Sequence, residues 1–263
     1  MRLYCLSLGL LTFDQSVFTY NRGMGQDVTV PTLSFLIRHP KGNVIYDTGL
    51  DPIMATDPES YWGETAREYR PSLTADDTIV PQLAKLGLQP KDVDYVVMSC
   101  LYQDHAGGLK YFPDSTIVVQ QIELQEAWWM TPSTIATFND PYKLADLEGT
   151  RDFKWLQLDG EDFDIFGDRS VVVLSSPCHA KGEQAVVVRL PETGTVLLPG
   201  GVIPTRRNLV EDILTGRLMY SPAEAMRSVN RLKDIVRREN ATVLLHHDLE
   251  AWRGYRHPPE YYG

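Results

Sequence analysis

Side chains that can bind a metal ion follow several stretches of this sequence that have the character of buried strands. Four such stretches end in "MSCLYQDH", "SSPCH", "LLPGG" and "LLHHD", and three of these endings carry histidine, aspartate or cysteine. These residue types are the usual protein ligands of zinc, and one ion needs ligands that converge from several loops. The pattern therefore predicts a metal site at the ends of these strands.

Short strands and turns must position these residues in the first part of the chain. "LYCLSLGLLTF" has the content of a strand, and the turn formers of "HPKGN" predict that "LSFLIR" and "VIYDTG" form a hairpin. "DYVVMS" predicts a buried strand. Because ligand groups of open α/β layers collect at the C-terminal ends of strands, we expect the chemistry just beyond this strand.

Helices alternate with strands in the rest of the sequence. "DDTIVPQLAKLGLQPKDV" and "QIELQEAWWM" predict two short helices. The clearest helix pattern is "SPAEAMRSVNRLKDIVRREN", which has a serine cap, a proline in the first turn and an apolar stripe. It leads into a predicted strand, "ATVLLHHD".

Residues 51–75 have a different character from their surroundings. They are rich in turn formers and aromatic residues without a clean period, which predicts a long loop or lid, and long ordered loops are often functional. No Ser/Gly-rich linker, repeat or low-complexity segment divides the sequence. We therefore predict that residues 1–263 form a single domain of β-layers covered by helices.

The composition favours a small-molecule partner in a reducing compartment. Hydrophobic residues make up 43% and charged residues 23% of the 263 residues, which is ordinary for a globular protein. The net charge of -10 argues against nucleic-acid binding, which rests on clustered Lys and Arg. Three scattered cysteines fit the cytoplasm better than a disulfide scaffold, and no apolar run is long enough to span a membrane. A homodimer is compatible with the sequence.

Landmarks spread over nearly the whole chain point to one family. They are "VIYDTG", "DHAGG", "STIVVQQIELQEA", "SSPCHAKGEQ", "GTVLLPGG", "SVNRLKDIVRREN" and "LLHHDLE". With them the sequence resembles the metallo-β-lactamase superfamily, and within it the N-acyl homoserine lactonase branch. The resemblance implies an α+β fold, the αβ/βα sandwich, in which two mixed β-sheets pack face to face and helices cover both outer faces. It also implies a two-metal hydrolytic site at one edge of the sheets.

One of the two metal sites implied by this resemblance is altered. The His-x-His-x-Asp-His loop of the family falls on "CLYQDH", so Cys100 and Tyr102 replace its first two histidines. The later histidine of the same site matches His179, and the aspartate that bridges the two ions falls on Gly201. Because glycine has no side chain, the usual shared carboxylate cannot form. An ion held by Cys100 and His179 is the alternative, although tyrosine is a poor third ligand.

The residues that the resemblance assigns to the other ion are all retained, except for the bridging aspartate. They are Asp104, His105 and His247. Two imidazoles and one carboxylate can hold one ion with an open position, and Zn²⁺ suits them best, with Fe²⁺ or Mn²⁺ as alternatives. Asp104 could instead cap a helix beside a supporting histidine. Asp47 in "YDTG" resembles the family carboxylate that orients a ligand.

Two further sets of residues are predicted around the ion. A catalytic role in contact with substrate is predicted for Tyr102, His179 and Cys100, and a substrate-binding role for Glu183, Cys178 and His246. Less specific interpretations remain open. A histidine next to a ligand is often a packing residue, cysteines are often small buried residues, and a glutamate after glycine is often solvated. The opposite alternative is that the two cysteines form a redox pair or a nucleophile assisted by His179.

The sequence therefore predicts a hydrolase or related lyase that acts on a small lactone, ester or similar carbonyl compound with at most one well-formed metal site. A single ion could polarise a carbonyl and activate water. Ordinary acyl homoserine lactonase activity is not expected, because the bridging aspartate, two histidines and a tyrosine, which falls on Pro204, are replaced. The alternatives are a metal-free binding or regulatory protein, and non-hydrolytic chemistry based on iron or cysteine.

Overall fold

Twelve β-strands are present in the computed structural model, which describes residues 1–131, 141–216 and 219–263. Their bounds are β1 Arg2–Asp14, β2 Asp27–His39, β3 Gly42–Tyr46, β4 Arg70–Ser72, β5 Tyr95–Val97, β6 Thr116–Gln120, β7 Lys154–Leu158, β8 Phe163–Asp164, β9 Val171–Ser175, β10 Gln184–Leu190, β11 Gly194–Leu198 and β12 Thr242–Val243. They form a seven-stranded sheet in the order β4-β1-β2-β3-β5-β6-β7 and a five-stranded sheet in the order β12-β11-β10-β9-β8. Both sheets mix parallel and antiparallel pairs.

The alternation of side chains along the strands explains why the two sheets pack face to face. In β1, Leu3 and Cys5 belong to the core between the sheets, whereas Tyr4 and Leu6 face the outer side of the first sheet. Successive side chains of a strand point to opposite faces, so each strand supplies two layers. Val186 of β10 contributes to the same central core from the second sheet.

Helices cover the outer faces of both sheets. Their bounds in the described residues are α1 Pro58–Trp62, α2 Thr65–Glu68, α3 Ile79–Lys85, α4 Gln121–Met130, α5 Leu144–Leu147, α6 Arg206–Glu211, α7 Pro222–Glu239 and α8 Leu249–Arg253. Apolar residues of α3 and α4 pack on the first sheet, and the stripe of α7 packs on the second. The αβ/βα sandwich is thereby confirmed. None of the helices in these ranges has the length and apolar character that a membrane span needs.

The predicted hairpin and the longest predicted helix are confirmed. β2 pairs with β3 antiparallel, and His39 faces Gly42 across the turn. Helix α7 begins after Ser221, whose side chain accepts a hydrogen bond from the backbone N–H of Glu224, and Pro222 occupies its first turn. A serine cap and a first-turn proline satisfy or remove backbone donors that have no partner at a helix start.

The segment of residues 51–75, predicted as a long loop or lid, contains α1, α2 and β4. Trp62 and Met54 from this segment are buried against Leu11 and Phe13 of β1. The Tyr61 hydroxyl also donates to the Asp146 carboxylate at 2.6 Å. The segment is therefore packed against the first sheet, and its short helices are stabilised by these tertiary contacts.

The predicted strand "ATVLLHHD" is shorter than expected. β12 covers only Thr242–Val243, after which the chain leaves the ladder. The backbone N–H of Leu245 donates to the Tyr255 hydroxyl, and that of His247 donates to the Pro204 carbonyl oxygen. These bonds replace the ladder bonds of a continued strand and turn His246 and His247 toward the first sheet, where His246 packs on Phe35.

Candidate metal centre and its pocket

Two loops at the carboxyl ends of neighbouring parallel strands form the floor of the site. β3 pairs with β5 in parallel and sets Tyr46 opposite Val97, so the loop that starts at Asp47 lies beside the loop after β5. The two glycines of "DHAGG" allow the loops to touch backbone to backbone. A Cβ on Gly107 would lie 2.1 Å from the backbone nitrogen of Asp51, so no residue larger than glycine fits at this position.

Asp104, His105 and His247 form a cluster of three side chains of the types that can bind a metal ion. One potential ligand atom from each lies within 4.8 Å of the other two. The Asp104 Oδ2 atom is 3.6 Å from Nε2 of His105 and 4.0 Å from Nε2 of His247. Both histidines are buried, and Asp104 is half-buried. The first sheet contributes two of these side chains and the segment after β12 contributes the third.

Hydrogen bonds to Nδ1 orient both imidazoles of the cluster. Nδ1 of His105 lies 2.8 Å from Asp47 Oδ2 and 3.1 Å from Ser99 Oγ, and Nδ1 of His247 lies 3.0 Å from the Pro31 carbonyl oxygen. Carbonyl and carboxylate oxygens accept hydrogen bonds, so each Nδ1 carries a hydrogen and each Nε2 is directed at the cluster. Histidine ligands of metal ions are held in this way. The three side chains therefore fit a divalent cation.

The charges around the cluster favour a cation as well. Burial alone would lower the pKa of His105, but the Asp104 and Asp47 carboxylates outweigh it and raise that pKa to about 9. Burial and the nearby His105 lower the pKa of His247 to about 3. Burial alone would raise the pKa of Asp47, yet His105 and His246 hold it well below its usual range. A divalent ion would take the place of the Nε2 proton of His105.

The positions of the altered metal site do not fit a second ion. His179 Nε2 is 3.9 Å from Cys100 Sγ, and burial raises the pKa of the Cys100 thiol well above its ordinary value. The Tyr102 hydroxyl donates to the His179 carbonyl oxygen at 3.0 Å. A Cβ on Gly201 would lie 2.1 Å from His179 Cε1, so the imidazole fills the space of a bridging carboxylate. A buried thiol also makes a poor nucleophile.

Glu183, Cys178 and His246, predicted as substrate-binding residues, lie behind the pocket wall and are fully buried. The Glu183 carboxylate binds Nδ1 of His179 at 2.6 Å. The Cys178 thiol lies 3.7 Å from the Thr215 hydroxyl, and all three cysteines are free. Nε2 of His246 lies 3.4 Å from Asp47 Oδ2. The structure thus brings these three residues close to the site without exposing them to a substrate.

A pocket opens directly over the cluster. The sequence-predicted residues at its surface are Tyr102, Asp104, His105, His179 and His247. An apolar wall faces them, made of Leu11, Val17, Phe18, Trp62 and Tyr69, and the Phe18 ring lies 5.1 Å from the His247 ring, centroid to centroid. Such a combination of an apolar wall and a few convergent polar groups is typical of small-molecule sites.

Sequence reasoning missed three residues that hold the site together. Ser99 donates to the Asp47 carboxylate through both its N–H and its hydroxyl, at 2.7 Å each. The buried Glu123 carboxylate accepts from the backbone N–H groups of Leu101 and Gly182 and joins the two loops. Phe18 reaches the pocket from the loop after β1. The only available signal was Glu123, an acidic residue between Ile122 and Leu124 in the first turn of α4.

Comparisons with known proteins give a consistent picture. The model of the metallo-beta-lactamase superfamily matches residues 28–247. The N-acyl homoserine lactonase AttM of Azorhizobium caulinodans is 38% identical over 263 residues, which cover 100% of this chain and 98% of the relative. AttM of Agrobacterium fabrum is 36% identical over 265 residues, with 100% and 98% covered. The N-acyl homoserine lactonase AiiA of Bacillus thuringiensis is 28% identical over 266 residues, with 99% and 98% covered.

Solved structures agree with the sequence relatives. An N-acyl homoserine lactone hydrolase with the product N-hexanoyl-L-homoserine at its catalytic metal centre superposes with a TM-score of 0.87 at 25% identity, and covers 99% of this chain and 98% of its own. The dizinc quorum-quenching lactonase AidC, also in complex with a product, has a TM-score of 0.68 at 15% identity, with 98% and 92% covered. The second likeness shows the fold alone.

Proposed function

Because the chain belongs to the metallo-β-lactamase superfamily, we propose that it hydrolyses N-acyl homoserine lactones or closely related lactones. In this proposal a single divalent ion, zinc by preference, is held by Asp104, His105 and His247. The relatives support lactone hydrolysis more firmly than the altered motif alone suggested, since those named AttM reach 36–38% identity over the whole chain.

One observation carries the proposal. Both histidines of the cluster have their Nδ1 atoms bound to fixed oxygen acceptors, at 2.8 Å for His105 and 3.0 Å for His247. Their Nε2 atoms are thereby directed toward the half-buried Asp104 at the bottom of a pocket. A site with three protein ligands and an open position is the arrangement of catalytic zinc. When bound there, the ion would supply Lewis-acid polarisation of a carbonyl and a lowered pKa for water.

The pocket wall supports an acylated substrate. Val17, Phe18 and Trp62 present apolar surface within reach of the cluster, and burial of an acyl chain against such surface contributes about 0.8 kcal/mol per CH₂ group. Trp62 comes from the segment of residues 51–75, for which we propose the role of a lid over the substrate. A lactone without an acyl chain should therefore bind weakly.

Hydrolysis of N-hexanoyl-L-homoserine lactone tests the proposal, with ring opening followed through the acid that it releases. We expect activity in protein as purified, loss of activity after treatment with a chelator, and recovery when zinc is returned. His105→Ala and His247→Ala should each lower kcat/KM by about 100-fold or more, because each removes a ligand.

A matched control is His257→Ala, which removes an exposed histidine that packs on Trp252, away from the site. This variant should keep wild-type activity. Full activity in chelated protein, or in either ligand variant, would contradict the proposal.

A further inference from the structure

The imidazole of His179 and the carboxylate of Glu183 lie where the altered metal site lacks its bridging aspartate. His179 Nδ1 lies 2.6 Å from Glu183 Oε2, and the backbone N–H of His179 donates to the same oxygen at 3.2 Å. Glu183 is fully buried and His179 is half-buried, with 13% of its side chain exposed. A carboxylate bound to one imidazole nitrogen fixes the tautomer and the direction of the other.

The packing around this pair prevents His179 from rotating away. On one side, the Cα of Gly201 lies so close that an added Cβ would be 2.1 Å from His179 Cε1 and 2.8 Å from Glu183 Oε1. On another side, the Tyr102 ring stands edge-on to the imidazole with centroids 4.9 Å apart, and its hydroxyl binds the His179 carbonyl oxygen. His179 is thus held in one orientation by its neighbours.

The remaining nitrogen of His179 is free for proton transfer. Nδ1 is committed to Glu183, whereas Nε2 has a weak contact to Cys100 Sγ at 3.9 Å. The imidazole shares the wall of one pocket with Asp104, His105 and His247. A histidine held by a carboxylate at the edge of a reaction pocket has the arrangement of a general base.

We propose that His179 is a catalytic general base and acid in this protein and that Glu183 is its positioning residue. The pair replaces the second ion of the family. This inference rests on the lactone hydrolysis proposed above. It assigns Tyr102 and Gly201 to the support of the pair.

The proton balance of the reaction closes on His179. Nε2 accepts a proton from a water molecule while the water oxygen bonds to the carbonyl carbon, and the electron pair of the carbonyl moves to its oxygen. When the carbonyl re-forms, the ring C–O bond breaks, and the departing alkoxide takes the proton from Nε2. One lactone and one water give one hydroxy acid, and the imidazole returns to its starting state.

Kinetics of a conservative variant test the role of His179. In His179→Asn the amide N–H can still donate to Glu183, but no group is left that accepts a proton. We expect kcat for N-hexanoyl-L-homoserine lactone to fall about 100-fold or more, which is the usual size of a general-base effect. KM should stay within about threefold of the wild-type value. Added imidazole should restore part of kcat in His179→Ala.

Glu183→Gln tests the positioning role. It should lower kcat by about 10-fold, because the amide holds Nδ1–H less firmly than the carboxylate does. Glu126→Gln, which alters a glutamate paired with Lys181, is the matched control and should keep wild-type kcat.

Two readouts do not depend on activity. The zinc content of His179→Asn should equal that of the wild type, because His179 is not a ligand in this account. Nitrogen-15 NMR of the zinc-loaded protein should show His179 protonated at Nδ1, with a shift of that signal in Glu183→Gln.

The outcomes separate the two proposals. Wild-type protein that keeps its ion and opens no lactone would overturn the proposed function, and the base assignment with it. An active wild type whose His179→Asn variant keeps kcat within about threefold would overturn the base assignment alone. Loss of zinc from His179→Asn would also overturn it, because His179 would then be a ligand.

Discussion

Gly201 is one of the residues that distinguish this site from a two-ion site. Its would-be Cβ position lies 2.1 Å from His179 Cε1, a distance that real Cβ contacts do not reach. The imidazole can therefore occupy this position only because residue 201 has no side chain. A bridging aspartate and the present His179 orientation exclude each other.

A double-mutant cycle tests this close packing. Gly201→Ala should lower the free energy of unfolding by about 1–3 kcal/mol, the usual cost of an added methyl in a packed site. The same change in a His179→Ala background should cost at least 1 kcal/mol less, because the obstructing ring is gone. Urea unfolding measures the cost of the substitution in both backgrounds. Gly149→Ala, where nothing lies within 4 Å of the added Cβ, is the control. Equal costs in both backgrounds would show that the ring moves freely.

The sequence predicted the three residues of the candidate metal cluster and Asp47 beside His105, but not the other groups that hold them. Asp104 and His105 follow a buried strand, so their place at the edge of a sheet could be predicted from local pattern alone. The bond between His179 and Glu183 could not, because it depends on how the loop after β9 folds. The Pro31 carbonyl, which orients His247 across 216 residues of sequence, gives no sequence signal at all.

Among the elements, the segment of residues 51–75 is held to the rest of the protein by pairing of β4 with β1 and by side-chain contacts. Tyr61 binds Asp146 at 2.6 Å, and Lys110 binds Asp51 at 2.6 Å. Its helices have only four or five residues, too few to be stable alone, so sequence periodicity predicted a loop. The hairpin and α7 were predictable because a turn motif and a long apolar stripe are local signals.

Asp146 makes the stability of this region depend on pH. Burial raises the pKa of Asp146 to about 7, and the Tyr61 hydroxyl offsets only part of this effect. The folded state therefore binds more protons than the unfolded state between about pH 4 and pH 7, so stability falls as pH rises through this range.

Asp146→Asn should remove this dependence. The amide needs no proton to stay neutral, and its oxygen can still accept a hydrogen bond from Tyr61. The variant should therefore be more stable than the wild type above pH 7. The gain in the free energy of unfolding should reach up to about 4 kcal/mol, at about 1.4 kcal/mol per pKa unit. The gain should vanish near pH 4. Thermal unfolding across pH measures it, with the exposed Glu148→Gln as control. A gain that is equal at all pH values would refute the assignment.

At the scale of the whole molecule, the site joins parts of the chain that are far apart in sequence. Asp104 and His105 follow β5 of the first sheet, and His247 follows β12 of the second. The family resemblance predicted this sandwich correctly, since apolar alternation and turn spacing are distributed along the whole chain. The number of ions that such a sandwich can hold depends on a few side chains, which is why fold and metal content must be argued separately.

The zinc content of the purified protein tests the one-ion metal centre. Protein freed of metal, returned to excess zinc and then desalted should contain about one zinc ion per chain by elemental analysis. The same treatment should leave His247→Ala with essentially none, because that variant lacks one of the three ligands. Two ions per chain in the wild type would contradict the replacement of the second site by His179 and Glu183, and no retained ion would contradict the metal centre itself.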